Sequence, residues 1–178
     1  LADFLDSHPD TGMVGSIVYH MEQPDYVQQY GLNIDFDNYV ATTLYANEPH
    51  NDSIPEMMYC DTVATCSMMV RTSILSQTGI MPEDNFIYWD DMEWGYRCNL
   101  AGYKVAVTKK SVVLHRMGAK KVSVNTFPTY YMWRNWIHFF LRYVKDENLE
   151  HFSYIMLKAV FQSIYECMYR GEHNVRET

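Results

Sequence analysis

Three carboxylates stand within four positions in the stretch FIYWDDMEWGYRCNLAGY, residues 86–103. They are Asp90, Asp91 and Glu93, flanked by Trp89 and Trp94 and followed by Arg97. One use for such acids is a helix start: Asp90 sits where an N-cap belongs, and the helix dipole favours acids in the first turn. Glu93 and Arg97, four apart, suit a surface ion pair. This account covers Asp90 and Glu93 but leaves Asp91 less well explained. The other use is proton chemistry. A glycosidase pair is unsuited, because its carboxyls face each other across the scissile bond at about 5 to 9.5 Å. Neighbours on a helix are turned by about 100° and cannot do that. A single general base beside aromatic walls fits the spacing better. At a helix N-terminus its charged form is favoured, so Asp91 is expected to be ionised near neutral pH. It would accept a proton only as bond formation makes a hydroxyl acidic. Capping and catalysis both stay open for Asp91 on this reading.

The elements that must carry these residues follow a mixed order. Leu1 to Leu5 has the character of a helix end, closed by the turn residues His8, Pro9, Asp10 and Gly12. MVGSIVYH, residues 13–20, is a short and mostly apolar strand. Residues 21–58 hold Pro24, Gly31, Pro49 and Pro55 and little periodicity, which marks a long loop of the kind that forms binding surfaces. CDTVATCSMMV (60–70) is expected to be extended, and RTSILSQTG (71–79) a short helix ended by Gly79. The acidic helix should stop at Gly102, before two short strands, KVAVT (104–108) and SVVLH (111–115), around a Lys-Lys turn.

Beyond Thr126 the pattern is helical. Trp133, Trp136, Ile137, Phe140, Leu141 and Val144 make one apolar stripe, with Pro128 acceptable in the first turn. Phe152, Ile155, Met156, Ala159, Val160, Ile164 and Cys167 make a second, and Tyr154, Leu157, Phe161 and Tyr165 add an apolar back to that helix. A helix apolar nearly all round is buried, or lies against a partner or a membrane surface.

Composition sets the bounds. The 178 residues suffice for one domain with a real core, and 48% hydrophobic against 20% charged residues describes a globular chain. A formal charge of −8 argues against nucleic acid as the main partner. The four cysteines, at 60, 66, 98 and 167, lack zinc-site spacing and are expected to be reduced thiols in a cytosolic setting. No apolar run reaches bilayer-spanning length. The chain opens on Leu1 within what reads as a helix end, so it is expected to be a fragment with a functional segment upstream.

Taken in order, HPDTGMVGS, QQYGLNID, CDTVATCSMMVRTSILSQTGIMPEDNFIYWDD, WDDMEWGYR, AGYKV, VVLHRMG and YYMWRN resemble family 2 of the inverting glycosyltransferases. Bacterial rhamnosyltransferases and galactofuranosyltransferases are the most similar group, and the resemblance covers roughly residues 1–142. It implies an α/β fold, a partial GT-A (Rossmann-like, mixed sheet), with residues 1–125 the acceptor-side half of the catalytic domain and 126–178 a helical extension. It also implies roles. Asp91 matches the catalytic base and Asp90 the neighbour that places the acceptor. Trp89 and Trp94 match walls of the acceptor site, with a core role equally open. His115, which by itself reads as a structural residue ending a strand, matches a ligand of the divalent metal, Mg²⁺ or Mn²⁺, on the donor diphosphate. The implied donor is a UDP- or dTDP-linked sugar. The implied acceptor is a glycan or lipid-linked glycan of cell-surface polysaccharide synthesis.

One departure is plain. The family's nucleotide-binding half, with its Asp-x-Asp metal motif and glycine-rich turn, is not in this sequence. Asp35 and Asp37 have the spacing but stand where the family carries acceptor-side loop. The chain is therefore expected to hold nucleotide sugar poorly by itself. Its expected place is the cytoplasm, with residues 126–178 as a self-association surface or a contact with the inner membrane face. The rival reading is a non-catalytic carbohydrate-binding or scaffolding module that uses the same acids and aromatics without chemistry.

Overall fold

The computed structural model describes residues 1–116 and 126–176, but not the side chains of Thr126, of Cys167 and of residues 170–176. The Met-Gly of VVLHRMG beyond Arg116 and the segment that joins the two expected units thus lie outside the described residues, as does the side chain of Cys167. The chain is a mixed α/β structure with a curled mixed sheet, a half-barrel, and C-terminal helices.

Strand β1 (Thr11–His20) is the sheet's centre and is buried almost end to end. Its continuous apolar run suits a strand covered on both faces. It pairs in parallel with β7 (Lys104–His115), and along its other edge with β2 (Val27–Gln29) and β6 (Met68–Val70), both antiparallel. β5 (Met57–Cys60) lies antiparallel on the far side of β7. A separate hairpin joins β3 (Leu32–Asp35) to β4 (Val40–Thr43).

Three expectations change here. Residues 21–58 are not a loop: they hold β2, β3, β4 and the start of β5, each of three or four residues and too short to show a period. Residues 60–70 are not one strand, because a 3-10 turn at Thr65–Ser67 separates β5 from β6. The Lys-Lys segment is not a turn: β7 runs through it, and a bulge carries the pairing from Thr108 opposite Ser16 to Val112 opposite Ile17. Other signals hold, including the short helix α2 (Leu75–Thr78) ended by Gly79.

Helix α1 (Ala2–Ser7) precedes the sheet, and α3 (Asp90–Leu100) ends at Gly102, which takes a φ of 85° that other residues resist. Helices α4 (Thr126–Tyr143) and α5 (Leu149–Arg176) close the chain. Two cores result. One lies on the sheet, around Met13, Ile17, Tyr30, Ile74, Cys98 and Val107. The other is aromatic: Tyr39 of the hairpin, Trp89 before α3, Phe139 and Phe140 of α4 and Phe152 of α5. Each of these buried rings contributes on the order of 2–3 kcal/mol of transfer free energy. Helix α3 is wedged between the two cores, and that wedge fixes the acids at its start.

The buried face of α4 is carried by Asn135, Phe139 and Phe140, while Leu141 points outward at 50% exposure. On α5, Phe152 is buried, whereas Tyr154, Leu157, Phe161, Ile164 and Tyr165 are all exposed. Ile164 thus belongs to the outer face rather than the core stripe. No helix among the described residues is long and apolar enough to cross a membrane.

Candidate functional site

The turn that presents the acids is strained. Phe86, Tyr88 and Trp89 all have φ between 61° and 64°, in the left-handed region that costs a side-chain-bearing residue about 1–3 kcal/mol. Trp89, not Asp90, occupies the cap position, and Asp90 is the first residue inside α3. The chain enters the helix through a left-handed step, which leaves no extended residue ahead of α3 to cap it by a side chain. The strain is held from α4. The buried Asn135 side-chain amide donates to the carbonyl oxygens of Asn85, Ile87 and Tyr88, each at 2.8 Å, and Arg134 donates to those of Asp84 and Asn85. One amide group collects three carbonyls of the turn, of which the Asn85 oxygen also accepts the Ile87 N–H at 2.7 Å.

On its other side α3 is docked to the segment after β5. The Thr62 hydroxyl donates to the Asp91 carbonyl at 2.6 Å, and Asn99 Nδ2 donates to the Asp61 carbonyl at 2.8 Å. Gly95 permits the approach, since a Cβ there would meet Thr62 Oγ1 at 2.3 Å. The expected Glu93–Arg97 surface pair does not form. Glu93 is buried at 3% exposure and pairs with Arg142 of α4, while Arg97 donates to the Ile80 carbonyl. Glu93 faces the aromatic core, so its partner comes from the helix packed there.

Asp90 and Asp91 lie on the wall of a cleft of about 510 Å³, lined also by Thr65, Phe86, Trp89 and Met132. Asp91 is half-buried and accepts the Met92 N–H at 2.9 Å. Its pKa is not held down by the helix start, as the position suggested. Burial first, and the neighbouring Asp90 charge second, push it up to about 6 against the opposing pull of the Met92 and Thr65 amides. Desolvation outweighs the dipole because the protein around the cleft wall covers much of the carboxyl, which is not at a freely solvated helix end. A carboxylate with that pKa is well matched to take a proton near neutral pH.

The two tryptophans diverge. Trp89 touches the cleft but is mostly core, with Phe139 and Phe140 at 5.3 and 5.6 Å between ring centroids. Trp94 is not among the cleft's lining residues; its Nε1 donates to the Gly79 carbonyl at 2.9 Å and its ring packs on the sheet core.

His115 ends β7 beside His20 at the end of β1, the strand ends where open α/β sheets place ligands. It lines a second cavity of about 460 Å³ with Gln28, Gln29, Thr43, Ala64, Thr65 and Cys66. Thr43 and Thr65 line both cavities, so the acids and the histidine face two compartments with a common wall. Burial and the Asp91 charge raise the pKa of Cys66, which keeps its thiol a poor nucleophile. The residues present do not make a metal centre unaided: among those described, no three His, Cys, Asp or Glu side chains converge. Asp35 is committed to the hairpin turn, where it accepts the backbone N–H groups of Asp37 and Asn38.

Reading the sequence misses Asn135, Arg134, Thr62 and Arg142. The only trace of the first two is the Arg-Asn of YYMWRN, which says nothing of the turn it grips. No family model matches this chain, and no curated protein is found as a relative.

Proposed function

We propose that this chain is the acceptor-side half of an inverting glycosyltransferase of family 2, with the curled sheet as the second half of a GT-A catalytic domain. The observation that carries the reading is Asp91, a carboxylate raised to about 6 on the wall of an open cleft, in a compartment adjoining that of His115. In this reading an acceptor hydroxyl binds in the cleft beside Asp90. Asp91 takes its proton as the oxygen bonds to the anomeric carbon, and the sugar–phosphate bond breaks on the opposite face to release the nucleoside diphosphate. The donor would be a UDP- or dTDP-linked sugar bound on the His115 side together with the nucleotide-binding half of such an enzyme. A divalent ion, Mg²⁺ or Mn²⁺, would offset charge on the departing diphosphate, with His115 as one ligand. The acceptor would be a glycan or lipid-linked glycan of cell-surface polysaccharide, met at the cytoplasmic side of the membrane.

A purely carbohydrate-binding role gains less support. Binding does not need a carboxyl whose charged form the fold destabilises, whereas a base does. The test is kinetic, in a protein that joins this chain to a nucleotide-binding half. Asp91→Asn should lower kcat by about 10²-fold or more, and wild-type kcat/KM should rise with pH through about 6. Near-normal turnover in that variant would end the assignment.

A further inference from the structure

We propose that Gln28, His20 and Asn47 form a relay that fixes the neutral tautomer of His115, with the proton on Nδ1 and the lone pair on Nε2. Four side chains from different parts of the chain meet in line. His115 Nδ1 lies 2.7 Å from Gln28 Oε1, which can only accept, so Nδ1 carries the hydrogen. The same amide turns its Nε2, which can only donate, toward His20 Nδ1 at 3.4 Å. His20 Nδ1 is then the acceptor, and its hydrogen resides on Nε2, 3.2 Å from Asn47 Oδ1. Each link demands the polarity of the next, and turning the Gln28 amide over would set the His20 Nε2 lone pair against Asn47 Oδ1.

The fold builds the line deliberately close. The parallel pairing of β1 with β7 sets His20 beside His115, and β2 brings Gln28 to both. Gln28 and His115 also line the second cavity, so the ring nitrogen left to a ligand there is Nε2. Nε2 carrying a lone pair cannot donate a hydrogen bond to a phosphate oxygen, and Nδ1–H is taken by Gln28. Nε2 can bind a cation or accept from a hydroxyl. An imidazole oriented by an acceptor on its other nitrogen is the arrangement that second-shell partners impose on metal ligands. Only this last step, the identity of what Nε2 meets, rests on the transferase reading. Gln28, His20 and Asn47 are positioning residues.

The experiment is a long-range ¹H–¹⁵N correlation spectrum of the histidine rings in the ¹⁵N-labelled 178-residue chain, at a pH where both rings are neutral. The expected result is an Nδ1–H tautomer for His115 and an Nε2–H tautomer for His20. Gln28→Leu should return His115 to the Nε2–H form that free histidine prefers. Gln28→Glu, which keeps an acceptor for His115 but no donor for His20, should preserve the His115 tautomer and release only His20. An Nε2–H tautomer for His115 in the wild type overturns the relay, as does an unchanged tautomer in Gln28→Leu. The wild-type spectrum decides alone if a variant fails to fold. It is read without turnover, so loss of the relay and loss of the transferase reading are separate outcomes.

Discussion

Replacing Asp91 by asparagine should make the chain more stable at neutral pH, by an amount the site's electrostatics set. The folded protein holds the Asp91 proton up to about pH 6, because burial and Asp90 oppose its charge. The unfolded chain releases it near the ordinary carboxylate value of 3.8. Between those values the folded state binds more protons than the unfolded one, so stability falls as pH rises across that window. A displacement of about two pH units at 1.36 kcal/mol each gives about 3 kcal/mol of stability lost to the Asp91 charge above pH 6. Below about pH 4 both states are protonated and the loss disappears. Asparagine keeps the shape and an oxygen for the Met92 N–H but never ionises. Urea unfolding of wild type and Asp91→Asn should therefore differ by about 3 kcal/mol in favour of the variant at about pH 7.5, and by little at about pH 3.5. The difference between the two proteins cancels the shared titrating groups that the Asp91 charge does not reach; Asp90 and Cys66, which it does, are the exceptions. A variant no more stable than wild type at neutral pH, with a difference flat across the range, would refute the buried, raised carboxyl and with it the case for Asp91 as base. The expected gain is the usual cost of a site kept for chemistry rather than stability.

The strained turn before α3 should depend on Asn135. Asn135→Leu removes two N–H donors, about 1 kcal/mol each, and takes that donor from the part-buried Ile87 and Tyr88 carbonyls, so a loss of about 2–3 kcal/mol in urea unfolding is expected. A loss under about 1 kcal/mol would mean the turn is held elsewhere. The outer face of α5 should mediate self-association: sedimentation should find wild type dimeric and Leu157→Glu/Phe161→Glu monomeric, both staying in the supernatant with anionic liposomes. Wild type pelleting with the liposomes, and the double variant not, would assign that face to a membrane instead.

Local signals carried far along this chain. The apolar run of β1, the acids opening α3, Gly79 and Gly102 at helix ends and the two long C-terminal helices all follow from periodicity and from what glycine and carboxylates do at helix termini. The short strands β2 to β4 did not show, because three or four residues carry no period and their pairing is set by distant neighbours. The site divides along the same line. Sequence alone pointed to Asp90 and Asp91 as the place where a base could stand, and resemblance alone to His115. Tertiary structure decided what those groups are. Asp91 rises because the fold partly buries it and sets it beside the Asp90 charge. Glu93 turned from a surface partner of Arg97 into a buried partner of Arg142, 49 positions away. The acid-bearing turn is held by an amide 47 to 50 positions downstream, and His115 is oriented by Gln28, 87 positions upstream. A residue's type fixes which proton or lone pair it can offer. Its solvation and its partner are fixed by what the fold packs against it, and no local pattern encodes contacts at such separations.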